Sequence, residues 1–145
     1  MVLGLIFVGL EIRQNTNAVK GATLQAIAEM SQENSMILAQ DDELSEAYRL
    51  ARTVGIDTLT PHQTEILSAY TSGAVRPMEM RFRSVDLGIL DRDEILASGG
   101  GAAFYRTYWF RYWWEQRGRA SQPSDFGAWL DAEVLPLAAT EPTNQ

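Results

Sequence analysis

The chain has 145 residues, contains no cysteine and carries a formal net charge of −7 from 12 basic and 19 acidic residues. This length suits a single domain, and the lack of cysteine excludes disulfide scaffolds, cysteine-ligated metal centres and thiol catalysis. Because nucleic-acid binding depends on Lys and Arg that neutralise phosphates, the acidic balance argues against a nucleic-acid partner.

The first ten residues, Met1–Leu10, form an uncharged apolar segment. A helix of this length covers about 15 Å, half of the hydrocarbon thickness of a bilayer. A signal peptide would begin with basic residues and end in small ones, and this segment does neither. Three interpretations stay open: the end of a transmembrane helix that starts upstream of Met1, a shallow membrane anchor, or a buried helix of a soluble protein.

The apolar segment continues into the domain without a proline or a turn signal. Apolar residues then recur at helical spacing and predict one face of a single long helix. These residues are Val19, Ala22, Ala26, Met30 and Ile37. Arg13 and Lys20 follow the apolar segment, and basic residues at this position favour a cytoplasmic location for the domain.

Local signals divide the middle of the chain into further helices. Asp41 or Asp42 can cap a second helix, which Gly55 ends. Thr60 begins a third helix with Pro61 at its first position and Gln63 completing a capping box.

Proline and glycine mark the helix boundaries in the second half of the chain. Pro77 is expected to kink or split the third helix near Arg76, and Gly88 ends it. Asp91 can cap a short fourth helix, and the glycines at positions 99–101 interrupt the chain after it. We predict a fifth helix from about Ala102 to Arg117 and a sixth that begins at Ser124 and closes at Pro136. Its predicted inward residues are Phe126, Trp129, Leu130 and Val134.

Four short motifs occur in a fixed order along the chain. They are LIFVGLEIRQNT at Leu5–Thr16, LTPHQ at Leu59–Gln63, LGILD at Leu87–Asp91 and WWE at Trp113–Glu115. In this order the chain resembles a widespread family of uncharacterised bacterial proteins, which open with a full transmembrane helix ending in a "QIRQNT"-like sequence. The resemblance implies a membrane anchor followed by a helical domain, and it implies no activity. The chain departs from the family in carrying only the second half of the membrane helix.

Residues that could support catalysis or metal binding are few. The only histidine, His62, lies three residues before Glu65, whereas a di-iron bundle needs two Glu-x-x-His pairs. Four acids lie at Asp41, Asp42, Glu43 and Glu46, and complementing the dipole of a helix amino terminus explains three of them. The glycines at 99–101 lack the spacing and the lysine of a phosphate-binding loop. We therefore predict no catalytic residue, no metal site and no cofactor.

The most unusual feature is an aromatic segment, Phe104–Trp114, in which eight of eleven residues are aromatic. On a helix, one face would carry Tyr105, Trp109, Tyr112 and Trp113, and another would carry Phe110 and Trp114. A single core-facing stripe is too narrow for both faces. The residues could be core on one side and cover for a neighbouring helix on the other. Alternatively, they could form a partner-binding surface, a membrane-interface belt or a stacking platform for single-stranded nucleic acid. As candidate partner contacts we take Tyr105, Arg106, Trp109, Arg111, Tyr112, Trp113 and Trp114.

These observations predict an all-α fold in which a long N-terminal helix precedes a bundle of about four to five further helices. Residues 1–12 would be the anchor segment, 13–138 the helical domain and 139–145 a polar tail. We expect a membrane-anchored interaction or accessory protein without catalytic activity, attached through Met1–Leu10 to the bacterial inner membrane with its domain in the cytoplasm. The alternative is a soluble cytoplasmic helical enzyme or small-ligand binder with an aromatic-lined pocket.

Overall fold

The structure, a computed structural model, describes residues 2–97 and 102–136, and this part of the chain is helical with short connections and no strand. The α-helices in chain order are α1 Val2–Gln40, α2 Asp42–Thr53, α3 Pro61–Ala74, α4 Arg76–Asp86, α5 Arg92–Ala97, α6 Ala102–Tyr105, α7 Tyr108–Trp113, α8 Arg119–Ser121 and α9 Ser124–Trp129. A 3₁₀ turn covers Ile56–Thr58, and π-helical turns cover Trp114–Gly118 and Leu130–Val134. The predicted polar tail at 139–145, the end of the domain at 138 and the glycine interruption at 99–101 lie outside the described residues.

The predicted long N-terminal helix is confirmed, and α1 spans 39 residues, or roughly 58 Å. This helix contacts α2, α3 and α4, and its described buried and partly buried residues lie from position 20 onward. Ile27 is buried there, whereas Val19 and Ile37 of the predicted apolar face are exposed. The packed face is therefore rotated from the predicted one, and it includes the partly buried polar residues Ser31 and Asn34.

No helix in the described part of the chain has both the length and the apolar character that crossing a membrane requires. The membrane span of the predicted architecture is therefore not found among these residues.

The predicted caps of α2 and α3 are present. The side chain of Asp41 accepts a hydrogen bond from the backbone N–H of Leu44 at 2.9 Å. At the start of α3, the hydroxyl of Thr60 accepts from the backbone N–H of Gln63 at 3.1 Å, and the side chain of Gln63 accepts from the backbone N–H of Thr60 at 3.0 Å. All three hydrogen bonds use backbone donors that have no partner within the helix.

The predicted split at Pro77 is also present. Helix α3 ends at Ala74 and α4 begins at Arg76, because proline lacks a backbone N–H and its ring clashes with the preceding turn. Helix α4 ends before Gly88, which adopts a φ of 68°, a backbone conformation that glycine reaches without steric cost.

The predicted continuous helix from Ala102 to Arg117 is wrong. The chain leaves the helix after Tyr105, and Thr107 takes an extended conformation with ψ of 142°. The Thr107 hydroxyl then accepts a hydrogen bond from the backbone N–H of Phe110 at 3.2 Å, which is the N-cap interaction of α7. This break sets the direction of α7 independently of α6.

The core lies where α7 and α9 pack against α2, α3 and α4. Its largest fully buried side chains include Trp109, Phe110, Phe126, Leu67 and Leu130. Phe82 of α4 joins α9 through ring contacts with Phe126 and Trp129, at centroid distances of 5.7 and 5.1 Å. All four residues predicted to face inward from the sixth helix are buried.

Candidate functional site

The aromatic segment forms much of the core. Tyr105, Trp109, Trp113 and Trp114 are all buried. The rings of Phe110 and Trp114 stack at 5.9 Å, and those of Tyr105 and Phe110 meet edge to face at 4.8 Å. Except at Tyr112, both predicted faces of the segment are covered by the chain itself, because α2 and α3 lie on one side and the turn after α9 on the other. The four buried side chains are therefore not accessible to a partner in this fold.

Three tryptophan indoles donate hydrogen bonds to side-chain oxygens. Trp109 donates to Thr71 at 2.8 Å, Trp114 to Asp131 at 2.7 Å and Trp129 to Glu133 at 3.1 Å. A buried indole N–H without an acceptor is costly, so each of these oxygens fixes the position of one ring.

The two carboxylates among these acceptors are held by arginines. The Nε of Arg119 donates to Asp131 at 2.7 Å, and the Nε of Arg92 donates to Glu133 at 3.1 Å. Two further ion pairs join distant helices, Arg83–Asp125 and Arg117–Glu65. Ion pairs at the surface thus connect the carboxyl-terminal helices and turns to α3, α4 and α5.

The exposed part of the aromatic segment is small. Tyr108, which was not among the predicted partner contacts, is 66% exposed. Tyr112, which was among them, is 38% exposed. These residues are four positions apart and share one side of α7. Arg106 and Arg111 are partly buried, and the Nε of Arg111 is buried without a hydrogen-bond partner in the described part of the chain. Accessible contacts are therefore limited to Tyr108, Tyr112 and the outer parts of the two arginines.

The described side chains in the first half of α1 are largely exposed. Every side chain from Leu10 to Val19 is exposed. Val8, Leu10 and Ile12 are 51%, 54% and 62% exposed, although each would be more stable out of water. Among the described side chains, these three apolar residues are thus left unburied.

A cavity of about 270 Å³ lies between the second half of α1 and the helices α2, α3, α4 and α6. We name it the tyrosine cavity, after the tyrosines that three of these helices contribute. Its polar lining residues include Asn34, Tyr48, Tyr70, Arg81 and Tyr105. Of these residues only Tyr105 was among the predicted contacts, because no local sequence pattern connects residues from five helices.

Burial controls the ionisation of two of these tyrosines. It raises the pKa of Tyr105 well above the ordinary value for tyrosine, and nearby Arg81 opposes this effect only in part. Burial also raises the pKa of Tyr70, with a smaller contribution from Tyr48. Both hydroxyls therefore stay protonated at neutral pH and can donate hydrogen bonds.

The remaining candidates for chemistry lie on the surface. The Nε2 of His62 is 3.4 Å from an oxygen of Glu43, and both side chains are largely exposed. Among the described residues, no cluster of histidine, aspartate and glutamate could hold a metal ion. The acids predicted to support the start of α2 do so, with Asp41 at the N-cap and Asp42 and Glu43 in the first turn.

No family model, no curated protein and no solved structure matches this chain. The resemblance to the family with the "QIRQNT"-like motif therefore stays a prediction.

Proposed function

We propose that this chain is a membrane-anchored accessory protein without catalytic activity. Met1–Leu10 would attach it to the bacterial inner membrane, and α1 would act as a stalk that carries the helical domain on the cytoplasmic side. The observation that carries this proposal is the exposure of the apolar side chains Val8, Leu10 and Ile12 on α1. Burying side chains of this kind contributes about 1.5–3 kcal/mol each.

The distribution of apolar residues favours insertion of the helix end. Val8 and Leu10 lie roughly 200° apart around the helix, so apolar side chains face opposite sides of α1. A helix that is apolar on all sides is buried on all sides, whereas a helix lying flat on a membrane has one polar face. Exposed Arg13 follows the apolar segment, where a basic side chain can remain at the level of the lipid headgroups.

An interaction role is supported by the same geometry. The tyrosine rings of Tyr108 and Tyr112 are available at the surface, and tyrosine is enriched where proteins bind one another. The buried tryptophans would then act indirectly, because they fix α7 and so the position of these two rings.

Flotation of the full chain with lipid vesicles tests the proposal. We expect the wild type to float with vesicles that contain anionic lipid. The double variant Val8→Glu, Leu10→Glu should remain in the aqueous fraction, because two charges would have to enter hydrocarbon. The control Met36→Glu, Ile37→Glu changes two side chains of α1 that are 49% and 45% exposed at its other end.

The control variant should float like the wild type. A wild type that stays in the aqueous fraction would contradict the proposal. Release of both double variants would also contradict it, because attachment would then not depend on the start of α1.

A further inference from the structure

The tyrosine cavity contains more hydrogen-bond donors than the protein itself uses. Arg81 lies at the cavity and forms no ion pair with a carboxylate in the described part of the chain. The hydroxyl of Tyr105 has no hydrogen bond to another described residue, although the side chain is only 2% exposed. A hydroxyl at the wall of a cavity can donate a hydrogen bond to a bound ligand.

The charge of the lining points to an anion. None of the described residues around the cavity is Asp or Glu. A guanidinium is always protonated and donates to carboxylates in a fixed geometry. The hydroxyls of Tyr70 and Tyr105 remain protonated, for the reasons given above, and add neutral donors on the same cavity.

The size and the apolar lining restrict the ligand further. Leu38, Ala74, Pro77 and Phe104 supply apolar surface beside the polar groups. A volume of about 270 Å³ lies just below the roughly 300–1,000 Å³ that is typical of ligand pockets, which favours a small ligand. Cavities with apolar walls and a few converging polar groups are typical of small-molecule sites.

We infer that the tyrosine cavity binds a small monocarboxylate with a compact apolar body, whose carboxylate contacts Arg81 and the hydroxyl of Tyr105. The single guanidinium matches a single negative charge, and the rings of Tyr48 and Tyr70, 6.4 Å apart, border the space for the apolar body. This site is independent of membrane attachment, since it is formed by the helical domain.

Calorimetric titration with benzoate, which has the required size and charge, tests the inference. We expect saturable binding of one benzoate per chain. Benzamide, the neutral analogue of similar shape, should bind at least about tenfold more weakly, because a charge-assisted hydrogen bond is lost. Inorganic phosphate should bind more weakly than benzoate, because it has no apolar body.

Two variants with matched controls locate the binding. Arg81→Gln should weaken benzoate binding by about tenfold or more, whereas Arg76→Gln changes an exposed arginine at the start of the same helix and should not. Tyr105→Phe should weaken binding by about fivefold, whereas Tyr112→Phe should leave it unchanged. Arg81 is partly exposed, so we expect the Arg81→Gln variant to fold even if the Tyr105→Phe variant does not. Thermal unfolding of both variants checks that each is folded.

The lack of saturable benzoate binding would overturn the inference. Unchanged binding by the folded Arg81→Gln variant would overturn it too, and so would phosphate that binds as tightly as benzoate.

Discussion

The indole nitrogen of Trp109 donates a hydrogen bond of 2.8 Å to the hydroxyl of Thr71, and both side chains are buried. The same hydroxyl donates to the backbone carbonyl of Leu67 at 2.7 Å. Thr71 therefore uses one oxygen both to receive the indole from α7 and to keep its own bond within α3. Because both side chains are buried, the indole N–H of Trp109 relies on this hydroxyl as its acceptor among the described residues.

Replacement of Thr71 by valine keeps the shape of the side chain and removes this hydroxyl. The buried indole N–H would lose its acceptor, and we expect the free energy of unfolding to fall by about 1–3 kcal/mol. Urea denaturation monitored by tryptophan fluorescence measures the change. The control Thr64→Val removes a hydroxyl on the same helix that bonds only to the carbonyl of Thr60, and it should cost less than about 0.5 kcal/mol. Equal losses in both variants would mean that the indole bond contributes nothing.

Gly118 is packed against the ring of Trp113. A Cβ atom at this position would lie 2.5 Å from the Cζ3 atom of Trp113, and this ring is itself buried in the core. We expect Gly118→Ala to lower the free energy of unfolding by about 1–3 kcal/mol, the usual cost of overpacking a core. Thermal unfolding followed by circular dichroism measures this loss.

Gly21 provides the opposite case for comparison. It lies within α1, and a Cβ atom there meets no other atom within 4 Å. Gly21→Ala should be neutral or stabilising by up to about 1 kcal/mol, because alanine favours the helix. If Gly118→Ala were as stable as Gly21→Ala, the close packing of Trp113 would be refuted.

Stability should depend on pH in the alkaline range because of Tyr105. Burial raises the pKa of its hydroxyl in the folded protein, and Arg81 opposes this effect only in part. Below about pH 10 the hydroxyl is protonated in both states. Above that pH the unfolded chain loses the proton while the folded chain keeps it, so the free energy of unfolding falls by up to about 1.4 kcal/mol per pH unit.

The variant Tyr105→Phe should lose less stability than the wild type between pH 9 and pH 11, a range chosen around the ordinary tyrosine pKa of about 10. Tyr108→Phe, which changes an exposed hydroxyl, should follow the wild type. Denaturation curves at each pH give the slopes. A Tyr105→Phe slope as steep as that of the wild type would contradict the burial of this hydroxyl.

The helix boundaries that local chemistry determines could be predicted from the sequence. The capping box at Thr60 and the split at Pro77 depend on residues only a few positions apart, so their signals are visible without the fold. The break before α7 also has a local signal in Thr107, an N-cap residue whose hydroxyl bonds to the backbone of Phe110. The continuous run of aromatic residues on both sides concealed it.

Features that depend on distant residues could not be predicted. The second face of the aromatic segment is buried because Asp131, seventeen positions beyond Trp114, accepts its indole hydrogen bond. The tyrosine cavity combines residues from five helices, and the packed face of α1 includes Asn34, which hydrophobic spacing does not mark.

The central claim, that the start of α1 enters the membrane while the domain does not, can be tested with a fluorescent probe. Because the chain has no cysteine, Val8→Cys and Ile37→Cys each give a single labelling site for an environment-sensitive dye at an exposed position of α1. On addition of anionic lipid vesicles, we predict a blue shift of the dye at position 8 and an unchanged spectrum at position 37. An unchanged spectrum at position 8, or an equal shift at both positions, would contradict the claim.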